Sequence, residues 1–361
     1  MENNPEQARS GFIAGPITDT VFLIAAPLVA VLVFIPFRTT PLLSHVLSAE
    51  ETLIRGNRSL GDAFIHVVIF SHLFLVFFRS HLNRDIFKLH LIRFTVVPIG
   101  LFVALMLSSW TVAFVAILAV WWDVYHSAMQ TFGLGRIYDM RRGNDALVGR
   151  RLDYQLNLVL YVGPILGGVS LMTHLLKQNE FVAGLDLPKL ETAMFEWVPA
   201  ITTVTSQYTT YALLGVCIPF CIYYVYAYWR LHQKGYKISF QKVFLLVIVA
   251  IVSLACWGFD SFGEAFFVMN FFHALQYFFI VWFMEKKNIT SVFRLDRIAI
   301  GRQIALAIFV FISVGYGVYT LLDMPGFQLG NRTLISMVMV VSILHFWYDG
   351  FIWSVRKGQV R

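Results

Sequence analysis

An apolar run of about 20 residues recurs along this chain, and it constrains the fold more than any other feature. Hydrocarbon offers no hydrogen-bond partners, so such a run must satisfy its own backbone as a helix. Strands of a membrane barrel would instead alternate apolar and polar residues, and these runs are continuous. Ten spans are expected, at 18–37, 61–79, 94–110, 111–137, 153–176, 207–230, 240–258, 263–285, 302–322 and 332–355. The fold class is therefore all-α: a polytopic helical membrane bundle forming a single transmembrane domain over residues 1–361. With 58% hydrophobic residues and a mean hydropathy of +0.69, the chain is too apolar for a soluble domain of its length. The polar stretch 1–15 does not read as a cleaved leader.

Charge orients the spans. The links after spans two, four, six and eight, together with the C-terminal tail, hold 21 of the 28 Lys and Arg residues. The positive-inside rule then places those links and both termini in the cytoplasm, in a bacterial inner membrane. This accounts for the net charge of +7 without invoking nucleic acid as a partner. Arg79, Asn83, Arg84 and Arg136 are candidates to hold an anionic headgroup on that side. Pro98, Pro164 and Pro219 predict kinks, and Gly163, Gly167 and Gly168 predict a close helix contact. The stretch 185–198 is expected on the outer surface. His81, His90, His174 and His232 are expected to be solvated.

Ionisable residues inside spans are costly and usually face a bundle interior. Asp123, His126 and Gln130 are spaced i, i+3, i+7, which places them on one face of span four. Span two carries Ser71 and His72, span eight Asn270, His273 and Gln276, and span ten His345 and Asp349. His72, His126, His273 and His345 precede Arg79, Arg136, Lys286 and Arg356 by 7, 10, 13 and 11 residues. At a helical rise of 1.5 Å these offsets are roughly 10, 15, 20 and 16 Å, so the four histidines share a layer. The expectation is that these four segments meet. His66 is six residues from His72 and points elsewhere.

Imidazole is the commonest protein ligand for transition metals, and a ligating histidine usually donates its second N–H to an oxygen. The metal set expected is His72, His126, His273, His345 and Asp349, with Asp123, Gln130 and Gln276 in catalytic or orienting roles. A nitrogen-rich site without sulfur suits non-haem iron best, with another divalent metal as an alternative. Haem held by two of the histidines, or a metal-free proton path through Asp123, His126, Asp349 and Glu264, are the other readings. Cys217, Cys221 and Cys256 show no CxxC spacing, which argues against a disulfide framework or thiolate site. Trp121, Trp122, Tyr125, Trp347 and Tyr348 are candidates to line an elongated apolar pocket.

The segments WDVYHSAMQ, NFFHALQYFFIVW and HFWYDGFIW resemble the bacterial membrane β-carotene dioxygenases that form retinal. That resemblance implies non-haem iron held by His72, His126, His273 and His345. The HxxxH and HxxHH boxes of membrane desaturases are absent. The function expected is an iron-dependent oxygenase or oxidase. It would act on an apolar small-molecule substrate drawn from membrane lipid. No GxGxxG motif is present, so any reducing equivalents must come from a separate electron donor.

Overall fold

The computed structural model describes residues 11–39, 60–168, 188–260, 262–322 and 332–353. His174, residues 40–59 and the basic C-terminal tail lie outside them. Every regular element among the described residues is helical. In chain order these are α1 (Pro16–Asp19), a π-turn (Thr20–Ile24), α2 (Ala26–Thr39), α3 (Leu60–Phe74), α4 (Val76–Ser80), α5 (Arg84–Leu89), α6 (Leu91–Leu107) and α7 (Ser109–Arg141). They continue with α8 (Arg150–Gly167), α9 (Pro188–Gln233), α10 (Phe240–Phe259), α11 (Phe262–Val292), α12 (Gly301–Leu322) and α13 (Arg332–Ile352).

Among the described residues, seven stretches are long and apolar enough to cross a bilayer, and an eighth is counted if the bent pair Pro16–Ile24 and Ala26–Phe37 is one span. The chain is thus a multi-pass integral membrane protein. Helix α6 has 17 residues, which at the helical rise is about 25 Å. It ends where Ser108 turns extended, and the Ser108 hydroxyl accepts from the Thr111 amide at 3.3 Å. That serine cap separates α6 from α7.

Helices α6, α8 and α9 each run on through the proline expected to kink them. A bend of 60° falls between the π-turn and α2. Pro27 explains it: proline has no N–H and its ring crowds the carbonyl four residues back. The Ala25 amide bonds the Thr20 carbonyl at 2.8 Å, five residues back, which is a π-type closure. Residues 188–198, expected on the outer surface, are part of the continuous helix α9.

The chain divides into two compact units, 1–35 with 123–273 and 36–122 with 274–361. In the first unit, α8 packs against α9 and α10, and α10 against the π-turn. Small residues allow the close approach expected of them. A Cβ on Gly168 would run into the Gly258 backbone, and the Thr210 hydroxyl donates to the Gly167 carbonyl at 2.8 Å. At one end of this unit a buried charge network joins α7, α8 and α10. Arg136 donates to Asp139 at 2.9 Å and to Asp153 at 2.6 Å. Lys242 donates to the same two carboxylates, at 2.7 Å each. Tyr224 and Tyr228 donate to the other Asp153 oxygen at 2.8 and 2.6 Å. The second terminal nitrogen of Arg136 binds the carbonyls of Asp145, Ala146 and Val148. Arg136 is therefore spent inside the protein, a correction to its expected headgroup role.

In the second unit, Gly317 lets α12 lie against α3: a Cβ there would meet the Val67 carbonyl and the Ser71 hydroxyl. Helix α13 packs on α3, α4 and α6 over a core of Val76, Ile86, Phe94, Leu344, Tyr348 and Ile352. Arg332 opens α13 and donates to the Leu105 carbonyl at 3.0 and 2.8 Å, which caps α6. Tyr348 is core rather than pocket lining, with its hydroxyl on the Arg93 carbonyl. Two histidines expected in solvent are inside this unit. His90 is buried against Phe94 and Phe351. His81 is half-buried among Phe77, Phe87 and Phe94. Its Nε2 bonds the Phe94 carbonyl at 3.2 Å, and its burial lowers the pKa from 6.5. His232 is exposed, as expected.

Candidate functional site

Each unit carries one pair of buried histidines. In the first, α7 presents His126 and α11 presents His273, at 4% and 0% exposure. Their rings stand edge to face with centres 4.8 Å apart. The neighbours expected on each helical face are in place. Asp123, one turn before His126, is hydrogen-bonded by Asn270, one turn before His273. Gln130, one turn after His126, donates to the His273 carbonyl at 3.1 Å. Gln130 thus ties α7 to α11 at the histidine level.

In the second unit, α3 presents His72 and α13 presents His345, both fully buried, with ring centres 5.1 Å apart and planes at 90°. Helix α3 ends just beyond, where the Leu75 amide closes a tighter turn on the His72 carbonyl at 3.1 Å. Tyr277 of α11 sits edge-on to His345 at 4.7 Å. Its hydroxyl donates to Asp349 at 2.7 Å, and the Trp353 indole donates to the same oxygen at 2.9 Å. Asp349 lies one turn after His345, as Asp123 lies one turn before His126. Gln276 is fully buried on α11. His66 is directed away from the pair, with Nε2 3.1 Å from the Thr320 hydroxyl.

The polar chain continues outward from Asp349. The Arg79 guanidinium lies 3.9 Å from the Trp353 ring centre and pairs with Glu285 at 2.5 Å. It also donates to the Ile352 carbonyl at 3.2 and 3.1 Å. Asn83 and Asn288 donate to the second Glu285 oxygen at 3.0 and 3.3 Å. Arg79 and Asn83 therefore serve Glu285 rather than a headgroup. Sequence reasoning passed over Tyr277, Trp353 and Glu285. Tyr277 had a signal, because it lies one turn beyond His273 on α11, and Trp353 likewise lies one turn beyond Asp349.

Both histidine pairs have a spacing suited to metal ligation. A nitrogen bound at about 2.1 Å puts its ring centre about 3 Å from the ion, so two imidazoles at roughly right angles have centres about 5 Å apart. Both pairs match that separation, and each has a carboxylate one turn along. A comparison with protein-family models, curated proteins and solved structures finds no match to this chain.

Proposed function

We propose that this integral membrane protein is a metalloenzyme, a non-haem iron oxygenase or oxidase acting on an apolar, lipidic substrate. The observation that carries the reading is the pair of buried His–His contacts at 4.8 and 5.1 Å, each with a carboxylate one helical turn along. His126 and His273 in one unit and His72 and His345 in the other are the proposed ligands. Iron held there would supply activation of dioxygen. The chain's own residues do the rest. Asn270 orients Asp123, Tyr277 and Trp353 orient Asp349, and Gln130 fixes His273 on its helix. The apolar surround favours substrate arriving from lipid and excludes water. The resemblance to membrane β-carotene dioxygenases supports iron over other divalent metals. Insertion of both oxygen atoms into one substrate needs no external reductant, whereas oxidase or monooxygenase turnover needs a separate donor. We place the basic links and both termini in the cytoplasm of a bacterial inner membrane, with ten crossings.

The test is elemental analysis with an absorption spectrum on detergent-purified protein, for the native chain and for His126→Ala and His345→Ala. Stoichiometric iron that falls in both variants supports the reading. Full metal retained in a variant removes that histidine from the ligand set, and a Soret band moves the assignment to haem. A second reading rests on the Tyr277–Asp349 hydrogen bond, a link of the kind proton pathways use. Metal-free protein that stays empty after iron supplementation and carries pH-dependent flux in proteoliposomes would establish it.

A further inference from the structure

A cavity of about 610 Å³ opens in the first unit, away from the histidines, between the start of α8 and the last turns of α9. Its charged lining is Arg150, Arg151, Arg230 and Lys234, and Tyr223 and Tyr226 add two phenols. No carboxylate lines it. The nearest acid along α8, Asp153, is turned inward and held by Arg136, Lys242 and two tyrosines. The four cations are exposed, and Arg230 donates to the Tyr226 hydroxyl at 3.3 Å.

The wall is built rather than incidental. Gly149 sits at φ +74°, in the left-handed region, and a Cβ there would strike the Tyr228 hydroxyl. Glycine at that position lets the chain turn into α8 and sets Arg150 and Arg151 on its first turn. The loop before it is clamped through its carbonyls by Arg136. The amides of a helix's first turn add a favourable field for an anion. Lys234 directly follows the apolar span Tyr208–Gln233. Along that span Val216, Ile218, Ile222 and Val225 are exposed, each by 53% or more.

We propose that this cavity binds the headgroup of an anionic phospholipid, with the arginines and Lys234 on its phosphate and the acyl chains along α9. Guanidinium groups match phosphate oxygens in paired geometry, and basic pockets at a membrane edge are suited to such headgroups. The exposed apolar flank of α9 favours a lipid over a free phosphate. This inference rests on the membrane reading and is independent of any metal.

The experiment titrates delipidated, full-length protein in mixed micelles with phosphatidylglycerol, phosphatidylcholine, glycerol phosphate and inorganic phosphate. It reads retained lipid by native mass spectrometry and thermal stability of the solubilised protein. The native chain should retain phosphatidylglycerol in preference to phosphatidylcholine. Arg150→Gln/Arg230→Gln should weaken that binding at least tenfold, while Lys287→Gln/Arg297→Gln, with the same change in net charge, should leave it intact. Arg151→Gln/Lys234→Gln gives a second reading if the first variant does not fold. Equal retention of the two lipids, an equal loss in the control, or binding of glycerol phosphate or inorganic phosphate as tight as that of lipid would each overturn the proposal.

Discussion

The buried network around Asp153 offers the sharpest test of how the first unit is held together. Arg136 and Lys242 carry two positive charges, and Asp139 and Asp153 carry two negative ones, so the cluster is neutral as it stands. Asp153→Asn keeps the shape but leaves one uncompensated positive charge among side chains no more than 6% exposed. It also places an amide N–H₂ against one pair of donors, either Arg136 and Lys242 or Tyr224 and Tyr228. Breaking a buried pair from one side costs about 3–5 kcal/mol, because the surviving charge has no solvent. Lys242→Met alone makes the opposite error and should cost a similar amount. In the double variant the cluster returns to neutrality, so the two losses should fall short of additivity by more than about 1 kcal/mol. The assay is thermal or chaotrope unfolding of the detergent-purified protein at low and high salt, for both single variants and the double. Because the pairs are buried, the Asp153→Asn loss should hardly change with salt. A loss below about 1 kcal/mol, or simple additivity, would refute the reasoning, because it would mean that water reaches and screens the cluster.

Two further outcomes follow from the second unit. Gly317→Val should destabilise it by about 2 kcal/mol or more, because the added carbons meet the Val67 backbone on α3. Lowered unfolding temperature with unchanged helix content by circular dichroism is the expected signature, and an unshifted midpoint would contradict the close packing. His81 gives a pH dependence. Burial lowers its folded-state pKa below 6.5, so the folded protein prefers the neutral ring. Its contribution is complete above the unfolded pKa and is lost as pH falls through and below it. Unfolding midpoints should therefore drop between pH 7 and pH 5, and His81→Phe should flatten that drop. An unchanged slope in the variant would assign the effect elsewhere.

Much of the candidate site was legible in the sequence because spacing on a helix is a local property. Asp123, His126 and Gln130 share a face whatever surrounds them, and so do His345 and Asp349. The direction of His66 away from His72 follows from the same arithmetic, six residues being far from a whole number of turns. Roles were less legible. Position put Gln130 on the face of His126, but only the structure shows that its Nε2 donates to the His273 carbonyl. Arg79 and Arg136 looked like headgroup ligands by depth, yet each has a buried carboxylate partner on another helix. His81 and His90 looked solvated because they lie between spans, but aromatic side chains fold over them.

Hydrocarbon supplies no hydrogen bonds, so composition and run length by themselves determined that the chain is helical and crosses a membrane. Helical periodicity by itself determined which polar residues share a face. Only the tertiary structure decided what each face meets. It paired His126 with His273 and His72 with His345, gave Asp349 to Tyr277 and Trp353, and closed four charges into one neutral cluster. It also set a 60° bend between the π-turn and α2. Those outcomes depend on how each helix is rotated about its axis and which neighbour it packs against. Contacts distant in sequence set both, and no local pattern encodes them.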